Sequence, residues 1–353
     1  MKSLTHFPLN VAEWLNFSAP PWLKMVGENL LVYSIAGIII WWESRGISLR
    51  TELNAFENAN LWWFISGSLG SFFIWFLGEN LLFARLFTIF HRRTGYFELL
   101  PATAAAYFLQ SLNPLVSSAT MVLFLHQRKQ VRWLMAGFTM TFFGFIDGIL
   151  FSAMITLGGL LDSNSPVRAY IPFSGAAFAI FVLIAAWWMW RTPKFWIEKW
   201  LYDRPSLKAF REARLPAYAE LLLIRFFILA PQGILLWVCL RSFHLTIPMR
   251  EVVVISPAVL AAGGVPIAPA GLGPMQIVAV HSFAKFAPAT NVMAAALAFS
   301  IAHLLYRLPL GLGAAHTFVS RVLSTGGHVE QEGEARRYHR PRSGKSLARH
   351  ARR

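Results

Sequence analysis

The residues best placed to do chemistry lie where an apolar run is broken. Between Gly263 and Pro274 the chain holds three prolines and four glycines, inside a stretch from Val252 to Phe286 that is otherwise apolar enough to enter a bilayer. Proline removes a backbone donor and glycine leaves backbone exposed. In lipid, such freed N–H and C=O groups are tolerated only where protein or a polar cavity receives them. The stretch Pro266-Ile267-Ala268-Pro269-Ala270-Gly271-Leu272-Gly273-Pro274-Met275-Gln276 therefore points to a transport-type site. Gly273 suits the residue before a helix and Pro274 its first turn, so the N–H groups of the following half-helix would aim at the membrane interior. Ser117 and Ser118 would do the same after Asn113-Pro114, in a second broken stretch from Phe97 to Leu125. Opposed helix N-termini form a natural site for phosphate or carboxylate. The plainer alternative is that these prolines and glycines only kink packed spans and let helices approach closely.

Ionisable residues inside apolar stretches are costly unless paired, so each marks a candidate role. Arg307 lies well inside the last apolar stretch, with His303 one turn earlier on the same face. A guanidinium suits bidentate phosphate binding, and its alternative is to snorkel to the interface. Asp147 sits mid-span and can pair with Arg225 or Arg307, or carry a proton. Glu28, Glu79 and Glu220 fall near span ends and read as interface anchors. Gln276 would join Arg307 and the hairpin N-termini around a ligand. The sequence lacks His-Glu-x-x-His, a P-loop, a Gly-x-Ser-x-Gly elbow and Cys/His metal spacing. No catalytic residue, metal or cofactor is therefore expected, and the single Cys239 cannot form an internal disulfide.

The elements that must position these residues are membrane helices. Hydrophobic residues make up 56% of the chain and charged residues 14%, which excludes an ordinary soluble domain. The net charge of +15 sits mostly in short loops and the C-terminal tail, where it sets topology and meets acidic lipid, so no nucleic-acid partner is expected. Six stretches are long enough to span: 23–42, 61–83, 133–160, 169–190, 216–240 and 291–318. The two broken stretches are expected to be re-entrant helical hairpins. Residues 84–96, 126–132, 191–214 and the tail from Gly326 are rich in lysine and arginine, whereas 43–60, 161–168 and 241–251 carry few. The positive-inside rule then sets both termini in the cytoplasm, with the first hairpin dipping from inside and the second from outside.

The expected fold is thus an all-α polytopic membrane protein with six spans, two hairpins and an inverted repeat. An N-terminal interfacial segment (1–22) precedes a membrane domain (23–320), whose halves cover about 23–160 and 169–318. A basic amphipathic linker (191–214) would lie on the membrane surface, Trp196, Trp200 and Leu201 facing lipid. A basic, disordered tail (321–353) would follow. Linker and tail would meet acidic lipid.

These motifs resemble those of the lysylphosphatidylglycerol synthase membrane-domain family, the flippase-like membrane proteins. The second hairpin of that family typically reads Pro-x-Ser-x-Gly-Gly-x-Gly-x-x-Glu, and Pro266 to Gln276 looks like a divergent copy. Asn113-Pro114-Leu115-Val116-Ser117-Ser118-Ala119 is similar in outline to the first hairpin's Asn-x-x-Pro-x-x-x-Gly-Glu. Arg307 matches an Arg-bearing helix before the C-terminus. The family's glutamates are replaced by Gln276 and Ala119, and its first-hairpin glycine by Ser118. The resemblance covers about residues 20–320 and implies a domain related to those that flip aminoacylated phospholipids.

The expected function is translocation or binding of a lipid or lipid-linked intermediate, anionic headgroup favoured, in a cavity between the hairpins. The setting would be a bacterial cytoplasmic (inner) membrane. Asn113, Pro114, Ser117, Ser118, Pro266, Pro269, Gly271, Gly273, Gln276 and Arg307 would bind the substrate. Asp147, Arg225 and His303 would pair charge or couple protons. One alternative is a non-transporting scaffold or regulator of envelope lipid or glycan synthesis, docking a partner enzyme or a second copy. Another is a small-solute secondary transporter.

Overall fold

The computed structural model describes residues 57–110, 114–162, 164–190, 196, 199, 202, 204–264, 273–311 and 313. The expected interfacial segment, the span 23–42, Trp200, Leu201, Asn113, Pro266, Pro269, Gly271 and the tail lie outside the described residues, and Pro114 is described only as the first residue of a helix. Five described helices are long and apolar enough to cross a membrane: Leu61–Phe90, Trp133–Leu161, Pro166–Trp190, Leu215–Ser242 and Ala289–Gly311. They match the five later stretches expected as spans.

In chain order the described helices are α1 (Leu61–Phe90), α2 (Tyr96–Gln110), α3 (Pro114–Lys129), α4 (Trp133–Leu161), α5 (Ile171–Trp190), the short α6 (Lys208–Glu212), α7 (Leu215–Ser242), α8 (Met249–Gly263), α9 (Pro274–Phe283) and α10 (Ala289–Gly311). The rims α2, α3, α8 and α9 have 15, 16, 15 and 10 residues. At 1.5 Å per residue the longest reaches about 24 Å, short of a hydrocarbon core of about 30 Å.

The longest helix contact is that of α1 with α7. Asn60 starts α1, its side chain accepting from the Trp63 N–H at 3.3 Å while its own N–H donates to Ser242 O at 2.8 Å, so α1 begins where α7 ends. Small residues then let the backbones close. A Cβ on Gly67 would stand 3.0 Å from Cys239 Sγ, and one on Gly78 would stand 2.4 Å from Ile228 Cγ1. This approach brings the polar side of α1 against that of α7. On α4, Gly148 makes room for Phe181 of α5. Large apolar side chains such as Phe73, Ile180, Leu183, Leu223, Phe227 and Leu305 remain exposed, as lipid-facing helices require.

Each pair of short helices closes at one end. In the first, Lys129 at the end of α3 bonds Glu98 Oε1 at 2.8 Å and Arg93 O at 2.9 Å, beside the start of α2. The adjoining segment also meets α4 near its start, where His91 Nε2 lies 2.7 Å from Thr139 Oγ1. In the second pair, Arg250 at the start of α8 lies 3.9 Å from Asp162, and Lys285 just after α9 donates to Asn164 O. Both contacts are at the opposite end of α4. The two pairs are therefore antiparallel hairpins standing on opposite ends of one long helix.

Candidate functional site

A polar layer runs through this apolar interior, and its centre is Arg225 on α7. The residue is 1% exposed. Its Nη1 donates to Glu79 Oε1 of α1 at 3.1 Å, and its Nη2 donates to Asp147 Oδ2 of α4 at 2.8 Å. Its Nε also lies 2.7 Å from Asp147 Oδ1, a close ion-pair contact whose N–H direction misses the oxygen. The guanidinium carbon stands 5.1 Å from the Trp75 ring centre and 5.6 Å from that of Phe143. Of the two partners left open for Asp147, the structure selects Arg225. Burying such a charge is tolerable only because carboxylates and rings surround it.

Glu79 is a correction to the sequence expectation. It is not an interface anchor: its Oε1 also accepts from Trp75 Nε1 at 2.7 Å, and its Oε2 accepts from the Tyr107 hydroxyl of α2 at 2.6 Å. The apolar stretch ends at residue 83, whereas α1 continues to Phe90, which carries Glu79 inward. Tyr107, Trp75 and Phe143 carried no sequence signal beyond being aromatic. Glu220, by contrast, does sit at a half-exposed surface pair, with Arg85.

About two helix turns away, Ser71 of α1 donates to Gln232 Oε1 of α7, whose Nε2 donates to Ser71 O at 3.3 Å. His303 of α10 faces Ser71 Oγ at 3.4 Å and Phe299 O at 3.0 Å, and Tyr306 meets Ser68 Oγ at 2.9 Å. These neutral polar residues seat α10 against α1.

Arg307 is treated differently. Its guanidinium lies over Tyr107, 5.6 Å from the ring centre, and its Nε and Nη1 are buried without a hydrogen-bond partner among the described residues. Its place on α10 follows from its neighbours. Ser300, seven residues earlier, accepts from Gln276 Nε2 at 3.0 Å at the tip of the second hairpin. Gly311, four residues later, packs on Phe108 near the tip of the first. Arg307 thus sits between the two tips, about 10 Å along the helix from the second.

The tip residues divide in their roles. Gly273 has φ +97°, a conformation that suits glycine, and donates its N–H to Gln276 Oε1 at 2.7 Å. Gln276 also donates to Ala296 O at 3.3 Å. Its amide oxygen holds the α9 turn, and its nitrogen ties α9 to α10. Ser117 is half-buried and Ser118 exposed on the first turns of α3.

Charged groups also brace the hairpin feet. Burial works against the Glu98 carboxylate, but the hydrogen bonds from Lys129 and the Gly95 N–H outweigh it and hold its pKa below the usual value. Burial and the neighbouring Asp162 hold Glu251 above it. Burial, aided by Lys208, pushes His91 down to about 4. Among the described residues no group of three or more His, Cys, Asp or Glu could hold a metal.

Residues 29–311 match the family described as lysylphosphatidylglycerol synthase TM region. A search of the curated proteins returned no match.

Proposed function

The chain belongs to that family of integral membrane proteins of lipid-related processes, and from this premise we propose that it binds the phosphate of a lipid headgroup at Arg307 and translocates the lipid between its two hairpins. The observation that carries the proposal is the pair of buried, unpartnered nitrogens on Arg307, between the hairpin tips. A desolvated guanidinium with free donors is an anion receptor, and a phosphodiester fits its planar fork.

In this scheme the hairpins are re-entrant, the first from the cytoplasmic face and the second from the other, and both termini are cytoplasmic. Lysines and arginines are more numerous at the feet of the first than of the second, which supports that orientation. The membrane is the cytoplasmic one. The headgroup passes through the polar layer while acyl chains stay in lipid, and no bond is made or broken. Gly273 and Gln276 shape the second tip, Ser117 lies near the first, and the basic linker and tail hold acidic lipid at the surface. Arg225 and Asp147 keep the layer together.

The test is lipid movement in proteoliposomes containing purified protein and headgroup-labelled anionic or zwitterionic lipids. Selective movement that drops at least tenfold in Arg307→Ala is expected. No movement of any lipid by folded protein would overturn translocation and favour a scaffold.

A further inference from the structure

Resting on the anion site at Arg307, we propose that its occupation is matched by uptake of a proton on Asp147, so that the layer loads as an anion–proton pair. The charges inside the layer balance before anything binds. Arg225 and Arg307 oppose Glu79 and Asp147, and the four are joined in one chain of contacts. Arg307 stacks on Tyr107, whose hydroxyl donates to Glu79, which accepts from Arg225, which holds Asp147. A phosphodiester brings one negative charge that does not titrate near neutrality. In a low-dielectric interior the excess charge is expensive, and the nearest compensation is a proton on a carboxylate.

The geometry chooses between the carboxylates. Both oxygens of Glu79 already accept, from three donors: Trp75, Arg225 and Tyr107. Asp147 has one oxygen, Oδ1, that no aligned donor reaches, although Arg225 Nε is 2.7 Å away. Oδ1 itself is buried, but the Asp147 side chain as a whole is the more open, 20% exposed against 12% for Glu79. The groups around Asp147 are Arg225 from α7 and Glu79 from α1. Tyr107 from α2 and Arg307 from α10 stand behind them, His303 of α10 faces Ser71 about two turns along α1 from Glu79, and α5 offers Phe181 at this level. The step is simple: a proton from bulk water adds to Asp147 Oδ1 as the anion pairs with Arg307. Oδ2 keeps its bond to Arg225, and release of the anion returns the proton. By linkage the anion-bound state holds more protons, so affinity rises as pH falls.

The experiment is calorimetry of the full chain in detergent, titrated with dihexanoylphosphatidylmethanol in two buffers of different ionisation enthalpy. This probe carries a single phosphodiester charge and no amine. Uptake of about one proton per bound anion is expected, with affinity falling about tenfold per pH unit on the alkaline side. Asp147→Asn should still bind but take up almost none. Arg307→Ala should not bind. Binding by wild type without proton uptake would overturn the coupling and leave the anion site standing. Uptake lost in His303→Gln and kept in Asp147→Asn would also overturn it, placing the proton elsewhere. Absence of any binding by folded wild type would overturn the site itself. Should Asp147→Asn not fold, Asp147→Glu takes its place: a shifted pH dependence of uptake is expected, and an unchanged one would overturn the assignment to Asp147.

Discussion

Arg225 and Arg307 both bury a guanidinium among membrane-spanning helices, yet their surroundings are opposite. Arg225 has a carboxylate on each side and two aromatic rings across its faces. Arg307 has one ring and two buried nitrogens with nothing to donate to among the described residues. A buried charge saturated with counter-charge is a fastening that joins helices, since Glu79 and Asp147 come from two different ones. An unsaturated charge costs stability and persists only where something else supplies the missing partner. The difference assigns structure to the α1–α4–α7 contact and is the ground on which the anion site at Arg307 is proposed.

The largest expected effect on that comparison comes from Arg225→Ala. It leaves Glu79 and Asp147 uncompensated and should cost about 3–5 kcal/mol, read as lost thermal stability in detergent, whereas Arg307→Ala should unfold no earlier than wild type. Equal destabilisation of the two variants would erase the distinction. Next is Gly78→Leu, which drives a side chain into Ile228 and separates the helices that carry Glu79 and Arg225. About 1–3 kcal/mol should be lost. Tyr107→Phe removes one donor to Glu79 and should cost about 1 kcal/mol, while loosening the ring beneath Arg307. The smallest effect is from pH. His91, held near 4 by burial and Lys208, stays neutral in the fold but protonates when unfolded near its ordinary 6.5. Its stabilisation is therefore complete above that value and fades as pH falls towards 4. The loss should be on the order of 1 kcal/mol after solvent screening. His91→Gln should flatten this slope, leaving the acid response of Glu98 and the other carboxylates.

Much of this was legible in the residues. Apolar length marked the five described spans, and loop arginines and lysines marked the hairpin feet, because both signals are local. Asp147, Arg225 and Arg307 stood out because charge within an apolar run is rare. Glu79 did not, for two reasons. Its helix extends past the apolar stretch through polar positions, and its partner Arg225 lies 146 residues away. Ser71, Gln232 and Tyr107 escaped notice because a hydroxyl or an amide in a membrane helix also bonds within its own helix, and only the packing shows otherwise. Gln276 was recognised as special, but its local spacing from Gly273 already held the reason: an amide three residues into a helix caps the turn that begins it.

The most direct test of the anion site is native mass spectrometry of purified wild type and Arg307→Ala after identical delipidation. The expected result is a phospholipid retained by wild type and absent from a folded Arg307→Ala. Equal retention by both would contradict the assignment of Arg307 as the headgroup receptor.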